Sequence, residues 1–299
     1  MEIVEKLSTW KCRSSLFGLI AIEGANITDK QLEEIDYLLG RPKLTDLQRI
    51  KLDDLILKRD TPPSLSAAAK KELDTIYTEI VSGVFSSITS KYFERGIASE
   101  PDALQFAHET IHPNIIPVPH AQQYENEYIT GCPDIRDDEH PLTQITDTKC
   151  AWSLETLDKA KLSKQYQWQP RCYMYLTGLD TGSIMYVLVD MPDHLIKREC
   201  EIHFSQNSRL YISESDAEYI KWCQEYTEKT RYSKYPKHQR FKLFLDKWSP
   251  EYETTIINTV TQARQYLLAK HLSNMEEYVA NYKLMAQLNP TLYSISDLG

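Results

Sequence analysis

The chain has 299 residues, 41% of them hydrophobic and 26% charged, which is ordinary for a soluble globular protein and long enough for one large domain or two small ones. A net charge of −9 excludes a protein that coats nucleic acid by global charge, so any nucleic-acid site needs cations gathered locally. The six cysteines are scattered, with no C-x-x-C or C-x-C pair, which gives no zinc-knuckle or iron–sulfur spacing and suits reduced thiols in a cytosol.

The first apolar run, LFGLIAI at 16–22, follows Lys6, Lys11 and Arg13 but is too short to cross a membrane and is closed by Glu23. A packed first element in an intracellular, cytoplasmic protein is expected. Thr28 with Gln31, and Thr45 with Gln48, have capping-box spacing and start helices predicted to reach Gly40 and about Lys58. Thr61-Pro62-Pro63 breaks the chain. A long helical pattern then runs from Ser66 through Leu73, Ile76, Tyr77, Ile80, Val81 and Val84 towards Tyr92, and Gly96 is expected to punctuate it. A further helical stretch carries Glu100, Ala103, Leu104 and Phe106, and prolines 113, 117 and 119 force an extended path.

Strand-like runs follow at 124–130, 132–136, 142–150, 184–190 and 196–204, with the polar turn 137–140 reading as a hairpin connection. One helix, about 159–177, separates the third and fourth. A helix to about Lys229, a strand at 238–245 and a long helix over 250–284 complete the chain. The order predicts an α/β fold with a mixed central sheet flanked by helices. The expected regions are a helical 1–90, a core at 91–249 and a C-terminal helical extension at 250–299.

The residues able to carry chemistry gather around ITDTKCAW, residues 145–152. In a strand, Asp147 and Lys149 lean to one face. Asp134, in Gly131-Cys132-Pro133-Asp134, lies across the expected hairpin. Upstream stands Glu100, in Gly96-x-x-x-Glu100-x-x-Ala103, and downstream stand Gln169 and Tyr173, in Q-x-x-x-Y. Hydrolysing a phosphodiester means bringing hydroxide to an anion and stabilising the added charge. Mg²⁺ prefers a few carboxylates plus waters and phosphate oxygens. Asp134 and Asp147 would supply ligands, the Thr148 carbonyl one more oxygen, and Glu100 another from the helix. Lys149 would orient the attacking water and oppose phosphate charge, with a depressed pKa if held there. A surface ion pair with a turn-opening Pro-Asp is the plain alternative.

The combination E…PD…D-x-K…Q-x-x-x-Y resembles the PD-(D/E)XK nuclease superfamily. Within it, Gly-x-x-x-Glu and the Gln-Pro-Arg-Cys-Tyr-Met-Tyr run at 169–175 resemble the phage lambda exonuclease-like, or viral recombinase, branch, over about residues 90–205. The resemblance implies a restriction-endonuclease-like core with helical N- and C-terminal elaborations. It also implies cleavage of DNA with Mg²⁺ or Mn²⁺, often exonucleolytic and tied to recombination, in a host cytoplasm if phage-encoded. Gln169 and Tyr173 would then support the catalytic set of Glu100, Asp134, Asp147 and Lys149. Arg13 and Ser15 fall in a segment resembling the branch's early Arg/Ser stretch, which helps hold the DNA end. Arg171 departs from the second Gln often found there. The resemblance leaves a recombination-protein partner or a homo-oligomer open, and the helical insert 27–90 exceeds the minimal pattern.

Lys229, Arg231, Lys234, Lys237, Arg240 and Lys242 come with Tyr232, Tyr235 and Phe241 between them, a pattern suited to phosphate contact and base stacking. A solvated loop leading into an edge strand would read the same way. Residues 108–112 offer a rival, His108-Glu109-x-x-His112, the helical zinc-metalloprotease spacing. Pro113 biases His112 out of the helix, and Ile115 and Val118 stand where a longer zinc motif has Gly and His. A nuclease-fold protein that only binds DNA or a partner is a third reading.

Overall fold

The Thr45 side chain accepts from the Gln48 N–H at 3.3 Å, while the Gln48 side chain accepts from the Thr45 N–H at 3.1 Å, the reciprocal capping that their spacing predicts. The structure, a computed structural model, describes residues 2–22, 29–61, 63–85, 91–113 and 122–288. The Thr28 cap and prolines 62, 117 and 119 lie outside them. In chain order the elements are α1 (Glu2–Ser8), β1 (Cys12–Arg13), α2 (Ser14–Ile20), α3 (Asp29–Leu39), α4 (Asp46–Asp60), α5 (Ala67–Ser82) and α6 (Lys91–Ile111). Then come β2 (Tyr124–Glu125), β3 (Ile129–Gly131), β4 (Ile135–Arg136), β5 (Ile145–Cys150), α7 (Leu154–Asp158), α8 (Lys164–Thr177), β6 (Thr181–Val187), α9 (Asp193–Gln206), α10 (Ala217–Thr230), β7 (Phe241–Lys247) and α11 (Pro250–Leu288). Among the described residues no helix is long and apolar enough to cross a membrane.

Contacts gather into two units. The first comprises Met1–Cys12, Leu19–Phe85 and Glu253–Gly299. Its α3 and α4 bury Ile35 and Leu38 against Leu52 and Leu55, and α11 buries Ile256, Val260, Ala263 and Leu267 at helical spacing. Asp74 on α5 accepts from the Tyr266 hydroxyl at 2.8 Å and pairs with Lys270 at 2.7 Å, fixing α5 to α11.

The second unit, Arg13–Gly18 with Ser86–Tyr252, holds a four-stranded mixed sheet in the order β4-β5-β6-β7. β5 and β6 run parallel, joined through α7 and α8, while β4 and β7 lie antiparallel at the edges. One face is covered by α6, whose Ala103, Leu104, Phe106 and Ala107 pack with Ile135, Met185 and Val187. On α8, Trp168, Cys172 and Met174 are buried, and Gly182 of β6 lets the Pro170 ring approach so closely that an added Cβ would stand 3.0 Å from it. This is the expected α/β fold, a mixed central sheet flanked by helices.

Four local expectations are corrected. The break assigned to Gly96 falls at Gly83, which caps α5 in the left-handed region at φ 69°, and α6 runs unbroken through Gly96. Residues 196–204 form part of α9 rather than a strand. The alternation of Cys200, Ile202 and Phe204 imitates a strand, but Leu195, Ile196 and Cys200 pack as one helical face on Tyr219. The run 124–130 folds back on itself, because Asn126 accepts from the N–H groups of Tyr128 and Ile129 and makes β2 and β3 a hairpin. The helix expected over 159–177 begins later, at Lys164, where Ser163 caps α8, and the short α7 stands apart before it at Leu154–Asp158.

A buried polar chain braces β5 from behind. His112, just past α6, shares hydrogen bonds with Asp137 at 3.1 Å and Thr146 at 3.1 Å, and Thr146 meets Ser183 at 2.8 Å. Burial pushes the His112 ionisation below its ordinary value, against the pull of Asp137. The unfolded chain therefore takes up a proton that the folded chain resists, so stability present above the ordinary histidine range is lost as pH falls through it. Thermal melts of the wild type should show a midpoint falling between about pH 7 and pH 5, the histidine window. His112→Gln should lose about 1–3 kcal/mol at pH 7 through its orphaned partners and show a flatter acid limb. An unchanged acid limb would contradict this account.

Candidate active site

Antiparallel pairing of Ile135 with Thr146, extended by one residue, sets Asp134 opposite Asp147. β5 supplies Asp147 and Lys149 from one face. α8, capped by Ser163, presents Tyr166, Gln169 and Tyr173 at i, i+3 and i+7, one helical face. These side chains line a cleft of about 610 Å³, with Gly96 and Glu100 of α6 on its other wall.

Asp147 is 2% exposed and tightly held. Its Oδ1 accepts from Gln169 Nε2 at 2.6 Å and from the Tyr173 hydroxyl at 3.3 Å, and Gln169 Nε2 also donates to the Tyr173 oxygen at 2.9 Å. Its Oδ2 takes no directional hydrogen bond and is met as an ion pair by the Lys149 ammonium. Asp134 Oδ2 accepts from the Thr148 N–H at 2.6 Å and from the Thr148 hydroxyl at 2.8 Å.

Burial, then the negative charge of Asp147, pushes the Asp134 carboxyl up to about 7, against Lys149 and the Thr148 hydrogen bonds. Burial opposes charge on Lys149, but Asp147 and then Asp134 outweigh it and hold the ammonium above its ordinary value. The depressed lysine expected from the sequence is thereby corrected, because two carboxylates face one amine. Tyr173 is raised well above its ordinary value by burial and then by Asp147, and stays a neutral donor.

Glu100 is half-buried in the cleft wall, yet among the described residues no three His, Cys, Asp or Glu side chains stand in a metal-holding group. Asp147 is turned to Lys149, Gln169 and Tyr173, and Asp134 to Thr148. The donor set still suits a hard divalent cation. Asp147 and the half-buried Asp134 repel one another with one ammonium between them, and two such carboxylates are what a divalent cation neutralises.

Arg171 points away from this cleft. Its Nε meets Asp246 of β7 at 2.6 Å and its guanidinium lies over the rings of Tyr252 and Trp168, so its departure from the second Gln leaves the cleft untouched. Arg13 and Ser15 are exposed at the start of the unit, and Ser14 between them is buried, donating to the Thr130 carbonyl at 3.0 Å. The basic run does not stand as an open row of cations. Arg231 pairs with Asp193, Lys234 with Glu228 at 2.7 Å and Lys237 with Glu109 at 2.9 Å. Arg240 donates to the Leu188 carbonyl and lies over Phe106, Lys242 donates to the Asp158 carbonyl, and Lys229 sits in the last turn of α10. The sequence shows no carboxylate within the run, but folding brings acids from elsewhere.

His108, Glu109 and His112 do not converge. His112 turns into the core towards Asp137 while Glu109 faces Gln105 and Lys237 at the surface. Tyr166, like Phe93, Ile97 and Tyr186, lines the cleft without being marked by any motif, although its place one turn before Gln169 was legible in the helical period.

No family model matches the sequence, and no curated protein matches it. Among solved structures the chain is similar to a phage-related exonuclease from Haemophilus somnus 129PT, with a TM-score of 0.55 at 20% identity over 89% of this chain and 97% of that one. It is also similar to an alkaline exonuclease from Laribacter hongkongensis, with a TM-score of 0.47 at 12% identity over 94% of this chain and 99% of that one. The mixed sheet, its flanking helices and the first of these likenesses show that the chain shares the fold of that phage-related exonuclease.

Proposed function

We propose that the protein is a divalent-metal-dependent deoxyribonuclease, an exonuclease of the kind used in phage DNA recombination. The observation that carries this is the contact of Asp147 with Lys149, beside Asp134, in one cleft. Glu100, Asp134, Asp147 and the Thr148 carbonyl are the oxygen donors that would hold Mg²⁺ or Mn²⁺. When bound, the cation supplies Lewis acidity towards the scissile phosphate and lowers the pKa of attacking water. Lys149 directs its ammonium at that water and offsets phosphate charge. Gln169 and Tyr173 hold the Asp147 carboxylate by Oδ1, and the Lys149 ammonium meets its Oδ2. Arg13 and Ser15 would help hold the DNA end. The cations at 229–242 have local acid partners and contribute less.

The test incubates purified protein with linear and with circular DNA, in Mg²⁺ or in chelator. Linear DNA alone should be degraded, with cleavage abolished by chelation. Metal-independent cleavage, or none on any DNA, would reject the reading.

A further inference from the structure

Lys149 leaves β5 as a long side chain of several rotatable bonds, and the reading above needs its ammonium to stay in the cleft. The ammonium stands between the Asp147 carboxylate and the face of the Tyr166 ring, 5.3 Å from the ring centroid. That distance is within the range of about 6 Å over which an aromatic face attracts a cation. The ring is itself braced. The Tyr166 N–H donates to Ser163 Oγ at 3.2 Å, in the first turn of α8. Tyr186, paired with Lys149 across the β5–β6 register, meets Tyr166 edge-on at 6.2 Å and 74°. Phe244 of β7 meets Tyr186 in the same manner at 5.9 Å. Two strands and a helix start thus hold one aromatic face against one amine.

The two neighbours of the ammonium differ in kind. Asp147 is charged and belongs to the proposed ligand set, so a divalent cation there draws on the same carboxylate and repels Lys149. The ring is neutral and is no ligand, so its attraction persists. We propose that Tyr166 is a positioning residue that keeps the Lys149 ammonium in the cleft through its ring face, independently of Asp147. This rests on the reading of Lys149 as the catalytic amine.

Two measurements test it. In the first, residue 166 is replaced by phenylalanine carrying one, two or three ring fluorines, in the Lys149 protein and in Lys149→Met, and metal-free thermal melts are recorded. Fluorine withdraws electron density from the ring face with little change of shape. The midpoint should fall stepwise, by about 2–4 °C over the series, in the Lys149 protein and stay level in Lys149→Met. Equal responses in the two backgrounds overturn the assignment. In the second, turnover of linear DNA is followed in Mg²⁺. Tyr166→Leu should lower kcat several-fold with KM unchanged, and Tyr166→Phe, which restores the ring face, should recover most of that loss. Equal losses in both variants again overturn it. A Lys149→Met protein that still cleaves DNA overturns the reading of Lys149 as the catalytic amine instead, while the melts report the Lys149–Tyr166 contact whatever the chemistry.

Discussion

Lys149→Ala is expected to cleave DNA roughly 10²–10⁴-fold more slowly, the usual contribution of a positioned proton-handling group, while gaining more thermal stability from Mg²⁺ than the wild type does. The two effects have one cause. The amine is the positive charge that the protein itself sets against Asp147 and against Asp134, whose carboxyl is pushed up to about 7 by burial and then by Asp147. Removing one partner of a buried pair typically costs about 3–5 kcal/mol because the other charge is left uncompensated. The Lys149 side chain is 24% exposed, so the loss here should sit at or below the lower end of that range. A divalent cation that takes up the two carboxylates restores the missing charge. The metal-induced rise in melting temperature should therefore be larger in the variant. Asp147→Asn should behave oppositely, losing cleavage together with most of the metal-induced rise. Equal metal responses in wild type, Lys149→Ala and Asp147→Asn would place the cation somewhere other than this cleft.

The carboxylates and the amine were legible in the sequence because strand alternation and hairpin pairing are short-range rules. Asp147 and Lys149 share a face by period, and Asp134 follows from a turn of four polar residues. What escaped the sequence was long-range. The run at 229–242 reads as uninterrupted cations, yet Asp193 and Glu109 reach it from α9 and α6, in addition to Glu228 directly before it in the chain. Gly96 reads as a helix breaker by propensity, but α6 is held by the packing of Ala103, Leu104, Phe106 and Ala107 beyond it, and tertiary burial outweighs the roughly 1 kcal/mol a helical glycine costs. The direction of the Lys149 shift was missed for a related reason. Burial alone lowers a lysine, and only the count of carboxylates around it reverses the sign.

Gly18→Ala is the substitution expected to damage the second unit most for its size. By propensity alone an alanine in α2 should stabilise by about 0.5–1 kcal/mol. Sterics oppose this. A Cβ at Gly18 would stand 2.3 Å from Gln165 Cα, 2.8 Å from the Lys164 carbonyl oxygen and 2.9 Å from that of Gln165. All three are backbone atoms, so no rotamer change relieves the clash, and α2 must move away from the start of α8. That shift loosens the adjoining contact of Phe17 with Trp168, whose ring centroids are 4.9 Å apart and whose side chains are buried. Overpacking of this kind costs about 1–3 kcal/mol, more than the propensity gain, so the midpoint of denaturation should fall. The first turn of α8 also carries Tyr166, with Gln169 just beyond, so cleavage should drop alongside stability. Gly96→Ala is the control, since its Cβ would meet nothing within 4 Å and propensity acts unopposed. If Gly18→Ala were as stable as Gly96→Ala, the close approach of α2 to α8, and with it the fixed placement of the α8 face in the cleft, would be wrong.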